Sequence, residues 1–392
     1  MKIRIPDYVC LMHDSKDEFF NEELNASLKS ENGEIKFEQD GDYLKVFATT
    51  YQKGAKYVML RWNYASRKDV KVLGDAYERG YGDLQWQTIR PERMMPWYIA
   101  VSNGSDMNFD YNNRLTECFG VMVQPNAFAT WQYDTQGVTV WLDIRNGGNG
   151  TYLGGRMLEC ATVVFKDYEK MSAYKSVQEF CKVLSPNPYL PEHKVYGSNN
   201  WYYAYGKSSH EEIVADTKLV AEMCKGLPNI PYMVIDDGWQ PNPTDAPWDI
   251  GNERFPDMKG LADEMRKLGT RPGIWVRYLV NGKDNEQRKI EKPEYWYLER
   301  NKKVFDPSHP EVLEYVAEIT ETLTKKWGYE LIKHDFSTFD IFGWWGFDMQ
   351  LAVTYGGWSF YDKTKTSAEI VKNFYKVVKD NSNGAVIIGC NK

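Results

Sequence analysis

The sequence has few histidines and few cysteines, and it pairs neither into a ligand pattern. His13, His193, His210, His309 and His334 form no H-x-x-x-H pair. Cys10, Cys118, Cys160, Cys181, Cys224 and Cys390 lie far apart with no C-x-x-C among them. The pattern supports neither a zinc site nor a disulfide framework, so no metal and no cofactor is expected, and reduced thiols of a cytoplasmic protein are the expectation. No stretch reaches the ~18–20 apolar residues of a membrane span. The N-terminal MKIRIPDYVCLMHDSKDEFF lacks the apolar core of ~7–15 residues that marks a secretory signal. Positive charge is not in excess either. The chain has 48 Lys and Arg against 55 Asp and Glu, a net −7, which argues against a nucleic-acid scaffold and against a polybasic membrane anchor.

What is present in quantity is aromatic. The 392 residues include 14 Trp, 27 Tyr and 17 Phe, 15% of the chain. Most of these rings suit a filled core. Rings also stack on the C–H face of a sugar, whose hydroxyls in turn want carboxylates and amides, so the composition raises a carbohydrate reading without deciding it.

The chain is too long for one core of ~100–200 residues and reads as two domains. Residues 1–183 have the grammar of an antiparallel β-sandwich: short period-2 runs between Gly, Asn and Asp turns. Ile35 and Phe37 alternate before Asp40-Gly41, and Leu44 and Val46 come after it, as in a hairpin. Val138, Val140, Leu142 and Ile144 form one apolar face, with Thr139, Asp143 and Arg145 on the other. Cys160–Phe165 is another strand. Residues 184–194 are a linker with three prolines between Leu184 and Pro191.

From 195 to 392 strands and helices alternate. Val195–Trp201, Tyr232–Ile235, Pro272–Val276, Glu330–Lys333 and Ala385–Ile388 read as strands. Helices start at the capping box of Ser209 and Glu212, run over Leu261–Leu268, start at Pro310 with the stripe Val312, Val316, Ile319 and Leu323, and start again at Thr366 with Glu369, carrying Ile370, Phe374 and Val377. Five βα steps imply a parallel sheet. No G-x-G-x-x-G comes after the first strand, which removes support for a dinucleotide fold. Acidic clusters fall at strand C-terminal ends, where a (β/α)8 TIM-type barrel carries its active site. A full barrel takes ~250 residues, so about five βα units of one are expected here, cut before strands six to eight.

The strand ends carry the chemistry. Asp335 ends Leu331-Ile332-Lys333-His334-Asp335-Phe336, two residues after Lys333, so both side chains leave the strand on the same side and the lysine is expected to keep the aspartate ionised. Such a carboxylate is either the nucleophile of a retaining glycosidase or the cap of the next helix. Asp236-Asp237-Gly238-Trp239 offers two chelating carboxylates, a tight turn and a stacking ring, or a plain acidic turn. Asn199-Asn200-Trp201 adds two amides and an indole, and Gly273-Ile274-Trp275-Val276-Arg277 adds an indole and a guanidinium. His334 points away from its neighbours and is expected to be packed between strand and helix.

The run Y-M-V-I-D-D-G-W-Q with the later K-x-D-F closely resembles the clan D α-galactosidases, best family 36 of the glycoside hydrolases and more distantly family 27. Gly80-Tyr81-Gly82-Asp83-Leu84-Gln85-Trp86 and Pro96-Trp97-Tyr98 are similar to that family's N-terminal β-supersandwich. The resemblance implies a retaining enzyme that removes terminal α-linked galactose from oligosaccharides such as the raffinose series. It implies Asp335 as nucleophile, Asp236 and Asp237 on O4 and O6 of galactose, Lys333 on hydroxyls beside the nucleophile and Trp201 packed on the ring. Asn200, Trp239 and Trp275, offered by the strand ends themselves, complete the candidate sugar site. Cys390 resembles a cysteine placed near O2, or is a small buried hydrophobe. Arg277 departs from the pattern, which has an acidic residue there. The family's acid/base aspartate lies after strand six and has no counterpart in this chain; Asp340 and Asp348 carry no motif. A fragment, a chain completed by a partner or a non-catalytic galactose-binding remnant fits that absence, and an α-N-acetylgalactosaminidase or a raffinose-synthase-like galactosyltransferase fits the motifs. A homo-oligomer is compatible with the sequence.

Overall fold

A computed structural model describes residues 2–13, 17–20, 27–77, 85–103, 114–282 and 291–390. The segment Gly80–Leu84 and most of the charged run from Lys283 to Lys292 lie outside the described residues. The chain divides into two units, Met1–Pro188 with Trp344–Lys372, and Tyr189–Gly343 with Asn373–Lys392. No helix of the described residues is long and apolar enough to cross a membrane.

The first unit holds two antiparallel sheets. One has six strands, in the order Asp17–Phe20, Tyr8–His13, Ala55–Asn63, Gly137–Asp143, Phe128–Asp134 and Met95–Pro96. The other has seven, in the order Ser27–Lys29, Gly33–Asp40, Tyr43–Thr50, Leu158–Glu169, Leu115–Val121, Tyr98–Asn103 and Val70–Gly74. Period-2 alternation turns one face of each sheet inward, and the two inner faces meet. Trp62 of the first sheet stands edge-on to Phe165 of the second at 4.9 Å, and Phe119 meets Phe165 at 4.8 Å. The hairpin at Asp40-Gly41 is present, with Gly41 at φ +57°. Helix Ala173–Leu184, capped by Ser172, lays Phe180 and Leu184 on the outer face of the seven-stranded sheet beside Cys118 and Val164.

The polar face of Gly137–Asp143 does not meet water as its alternation suggests. Asp143 and Arg145 are buried, paired at 2.6 Å, and Arg145 Nη1 donates to Thr354 O. The cover is the segment Trp344–Lys372, which Asn146 also grips through Asp362 O and Lys365 O. A buried pair is tolerated where its remaining hydrogen bonds are made.

The second unit is built on a five-stranded parallel sheet. Its order is Gly197–Asn199, Tyr232–Ile235, Arg271–Val276, Leu331–His334 and Val386–Gly389. All four residues of Tyr232–Ile235 are buried, as a strand covered on both faces demands. Ser209 caps helix His210–Met223, and Asp257 caps Met258–Lys267, which ends before Gly269 at φ +101°. Pro310 opens helix Pro310–Glu321, but the cap is the His309 ring, and the helix runs on as a π turn over Thr322–Lys326. Thr366 and Glu369 form the reciprocal cap expected for Ser367–Asn381, although Val378 rather than Val377 is its deeply buried valine. The first strand is shorter than its sequence suggests. Asn199 Oδ1 accepts from Trp201 N at 2.9 Å, a turn that ends the ladder, and Trp201–Ala204 forms one helical turn.

Candidate active site

Parallel pairing brings the C-terminal ends of all five strands to one edge of the sheet. Asn199 and Asn200, Asp236 and Asp237, Arg277, Asp335 and Cys390 therefore share one neighbourhood. Asp236 is its hub. Its carboxylate accepts from Lys333 Nζ at 2.6 Å and Asn199 Nδ2 at 2.7 Å through Oδ2, and from Asp237 N at 2.8 Å through Oδ1. Its own N–H donates to Asn200 Oδ1 at 2.8 Å. The side chain is only 3% exposed, so a lone charge there would be costly and the lysine offsets it. Burial pushes the Lys333 pKa down, but the charge and hydrogen bond of Asp236 outweigh it, and the net shift is upward. The ion pair expected between Lys333 and Asp335 is thus made with Asp236 instead. The ammonium reaches across to the neighbouring strand rather than along its own.

Asp237 sits deeper in a turn. Gln240 Nε2 at 2.5 Å and Thr244 N at 2.9 Å both donate to its Oδ1. Gly238 is required at this turn: its φ is +107°, and a Cβ there would collide with Gly206 O. Burial raises the Asp237 pKa above the ordinary aspartate value, with Asp236 adding to the effect and the Gln240 and Thr244 bonds opposing it. The shift sets the sign of a pH effect. The folded chain holds the Asp237 proton to higher pH than the unfolded chain does. Folding therefore loses stability as pH rises from the ordinary aspartate range through the folded pKa. Asp237→Asn removes that loss, so its urea midpoint is expected to gain on the parent as pH rises through this window. A pH-independent difference would contradict the assignment.

Asp335 is 6% exposed. Phe336 N donates to its Oδ1 at 2.8 Å and the Trp275 indole N–H to its Oδ2 at 2.9 Å. Phe336 is a non-glycine residue at φ +59°, a left-handed conformation that surrounding structure has to enforce. Arg277 supplies part of that enforcement. Its guanidinium lies 4.5 Å from the Phe336 ring centroid and binds Asp340 in bidentate fashion at 2.8 and 2.5 Å. Asp340 N in turn donates to Phe336 O at 2.8 Å. Burial raises the Asp340 pKa, and Arg277 opposes it.

The remaining candidates fall on both sides of the expectation. Trp239 and Trp275 offer no stacking face. Trp239 is 0% exposed, donates to Trp275 O at 2.9 Å and packs between Trp248 and Trp327. The turn at Gly238 swings it inward, and Trp275 is spent on the Asp335 carboxylate. Asn200 is buried and holds Asp236 N. Trp201 stays partly exposed, edge-on to Tyr205 at 5.6 Å. Cys390 is half-buried, and burial, with the Asp335 charge beside it, pushes its thiol up to about 11. His334 is fully buried against Tyr278, Phe374 and Tyr375. Asn199, expected as one of two amides at the end of the first strand, holds Asp236; Gln240, Phe336 and Asp340 were given no role from sequence, although Gln240 ends the Y-M-V-I-D-D-G-W-Q run and Phe336 the K-x-D-F motif. Both cations are neutralised, Lys333 by Asp236 and Arg277 by Asp340. Asp237 and Asp335 make no salt bridge among the described residues, which leaves two carboxyl groups for a ligand.

No family model and no curated protein matches the sequence. Solved structures do. The family 36 α-galactosidase AgaA from Geobacillus stearothermophilus aligns over 99% of this chain and 62% of its own, with 13% identity and a TM-score of 0.59. A substituted form of that enzyme, in complex with stachyose, aligns with 14% identity and a TM-score of 0.58. The galactosidase domain of an α-galactosidase–sucrose kinase aligns over 93% and 53%, with 14% identity and a TM-score of 0.60. The cycloalternan-degrading enzyme from Trueperella pyogenes aligns over 99% and 64%, with 11% identity and a TM-score of 0.50. This chain thus spans 53–64% of the length of these relatives, and it shares the fold of the family 36 α-galactosidases.

Proposed function

We propose that this chain carries the glycone site of a retaining α-galactosidase, in a β-sandwich domain (1–183) joined by a linker (184–194) to a (β/α)8-type barrel (195–392) whose segment Trp344–Lys372 belongs to the sandwich unit. The observation that carries the reading is the Asp335 carboxylate. It is buried, fixed by Trp275 and Phe336, and free of any cationic partner among the described residues. The motifs that resemble the family and the fold shared with α-galactosidases support galactose as the sugar.

In this reading Asp335 attacks the anomeric carbon. A C–O bond to the carboxylate forms as the bond to the leaving oxygen breaks, and the leaving group departs with the electron pair. Positive charge develops on the ring, and the carboxylate that faces it stabilises it. Water then cleaves the glycosyl ester and restores the carboxylate. Asp236, Asp237 and Lys333 orient the sugar through its hydroxyls, and Trp201 packs on its face. Asp340 is engaged by the bidentate pair with Arg277. Asn200, Trp239 and Trp275 support the site from behind. Cys390 borders it.

The test uses 2,4-dinitrophenyl α-galactoside, whose phenolate leaves without protonation and so reports on the nucleophile alone. Release of phenolate, with α-galactose as the first-formed sugar by NMR, is expected. Cleavage of the α-glucoside in preference to the α-galactoside would sink the galactose reading, and β-galactose as first product would sink the retaining mechanism.

A further inference from the structure

The turn Trp201–Gly206 leaves tyrosines in water beside the candidate site. Tyr202 is 83% and Tyr205 60% exposed. Large exposed rings grouped in one place mark a binding surface. This group is bound to the acidic segment at both of its ends. At the start, Asn200 O accepts from Ala204 N while Asn200 Oδ1 accepts from Asp236 N. At the finish, Arg254 Nη2 donates to both Gly206 O at 2.8 Å and Gly238 O at 3.1 Å. The backbone of Gly206 lies directly against Gly238. Tyr205 has φ +44°, a left-handed conformation costly for a tyrosine, at the turn into Gly206. Its ring meets Trp201 edge-on, and Tyr202 and Tyr205 are three apart, on neighbouring positions of the turn. Tyr203 is committed elsewhere, its hydroxyl bonded to Asp216.

We propose that Tyr202 and Tyr205 form a stacking platform for the second sugar unit of an α-linked oligosaccharide whose first unit enters at Trp201 and Asp236–Asp237. The occupant is a sugar, because the platform continues a site rich in carboxylates and amides and because its rings present apolar faces ending in hydroxyls, the complement of a pyranose. The proposal rests on the glycosidase reading above and adds where the aglycone lies.

The experiment compares stachyose with α-galactosyl fluoride, whose leaving group is a single atom and cannot reach the platform. In Tyr202→Ala/Tyr205→Ala the ratio of kcat/KM for stachyose to that for the fluoride is expected to fall about tenfold, mostly through KM, while Tyr205→Phe keeps the parent ratio. An unchanged ratio overturns the platform. So does a parent chain that is dimeric by sedimentation and becomes monomeric in the double variant with its stachyose kinetics intact, because the tyrosines would then cover a second copy. A parent that cleaves the fluoride but not stachyose lacks only the proton that an unactivated leaving group needs, and a parent that cleaves neither fails the glycosidase reading separately. Calorimetry then decides: stachyose binding tighter than galactose, with the gap closed in the double variant, supports the platform, and no gap overturns it.

Discussion

Asp335→Asn is expected to lower kcat on 2,4-dinitrophenyl α-galactoside by ~10,000-fold or more, the scale on which loss of a nucleophile registers. The amide is nearly isosteric with the carboxylate. Its oxygen can keep the Phe336 N–H bond, but its NH2 then faces the Trp275 indole N–H, donor against donor. A modest loss of stability accompanies the loss of rate, and circular dichroism should show a folded chain. A second variant separates chemistry from fit. Asp335→Gly opens the space the carboxylate filled, and added azide can enter there. Azide forms the bond to the anomeric carbon as dinitrophenolate leaves, giving the β-galactosyl azide, with inversion at a single step. Recovery of phenolate release with that product would identify Asp335 as the group that attacks. Activity of the Asn variant within tenfold of the parent would remove Asp335 from that role.

The acidic strand ends were legible because the pattern that makes them is local. A short apolar run in a βα repeat reads as a buried strand, and the polar residues after it must sit at the strand end, so Asp236 and Asp237 could be placed from sequence. Asp335 could be placed for the same reason. The partners were not legible, because they come from other strands. Lys333 has an aspartate two residues away in sequence, and local reasoning pairs it there. In the folded chain it reaches one 97 residues away, Asp236. Tryptophans fared similarly. Sequence shows that Trp239 and Trp275 lie at or just past strand ends but not which way their rings turn. A positive φ at Gly238 and a bond from Trp275 to Asp335 decide that. The one-turn helix at Trp201 was hidden by an asparagine whose side chain closes a turn on its own backbone. Arg277 could be found as a departure from the resemblance, yet nothing local pointed to Asp340, 63 residues on, as its partner.

That partnership has a measurable consequence. Arg277→Met leaves the Asp340 carboxylate, 2% exposed, without its cation, and breaking one side of a buried pair costs about 3–5 kcal/mol. The urea midpoint should fall accordingly. The loss has a pH signature. Asp340 already holds its proton to higher pH in the folded chain than in the unfolded one, because it is buried, and Arg277 restrains that shift. Without Arg277 the shift grows. The unfolded chain then releases a proton that the folded chain keeps, so the variant's deficit is smallest at acid pH and widens as pH rises through and above the ordinary aspartate range. Arg277→Met/Asp340→Leu removes both charges and should regain most of the midpoint, since a buried pair replaced by apolar groups is often neutral. Its kcat should not recover with it. The double variant still lacks the guanidinium over the Phe336 ring, and with it part of what keeps Phe336 at φ +59° and its N–H on the carboxylate of Asp335. A double variant that regains stability and turnover together would make the pair a packing feature alone. Stability regained with turnover still low makes Arg277 a residue that positions the nucleophile through Phe336.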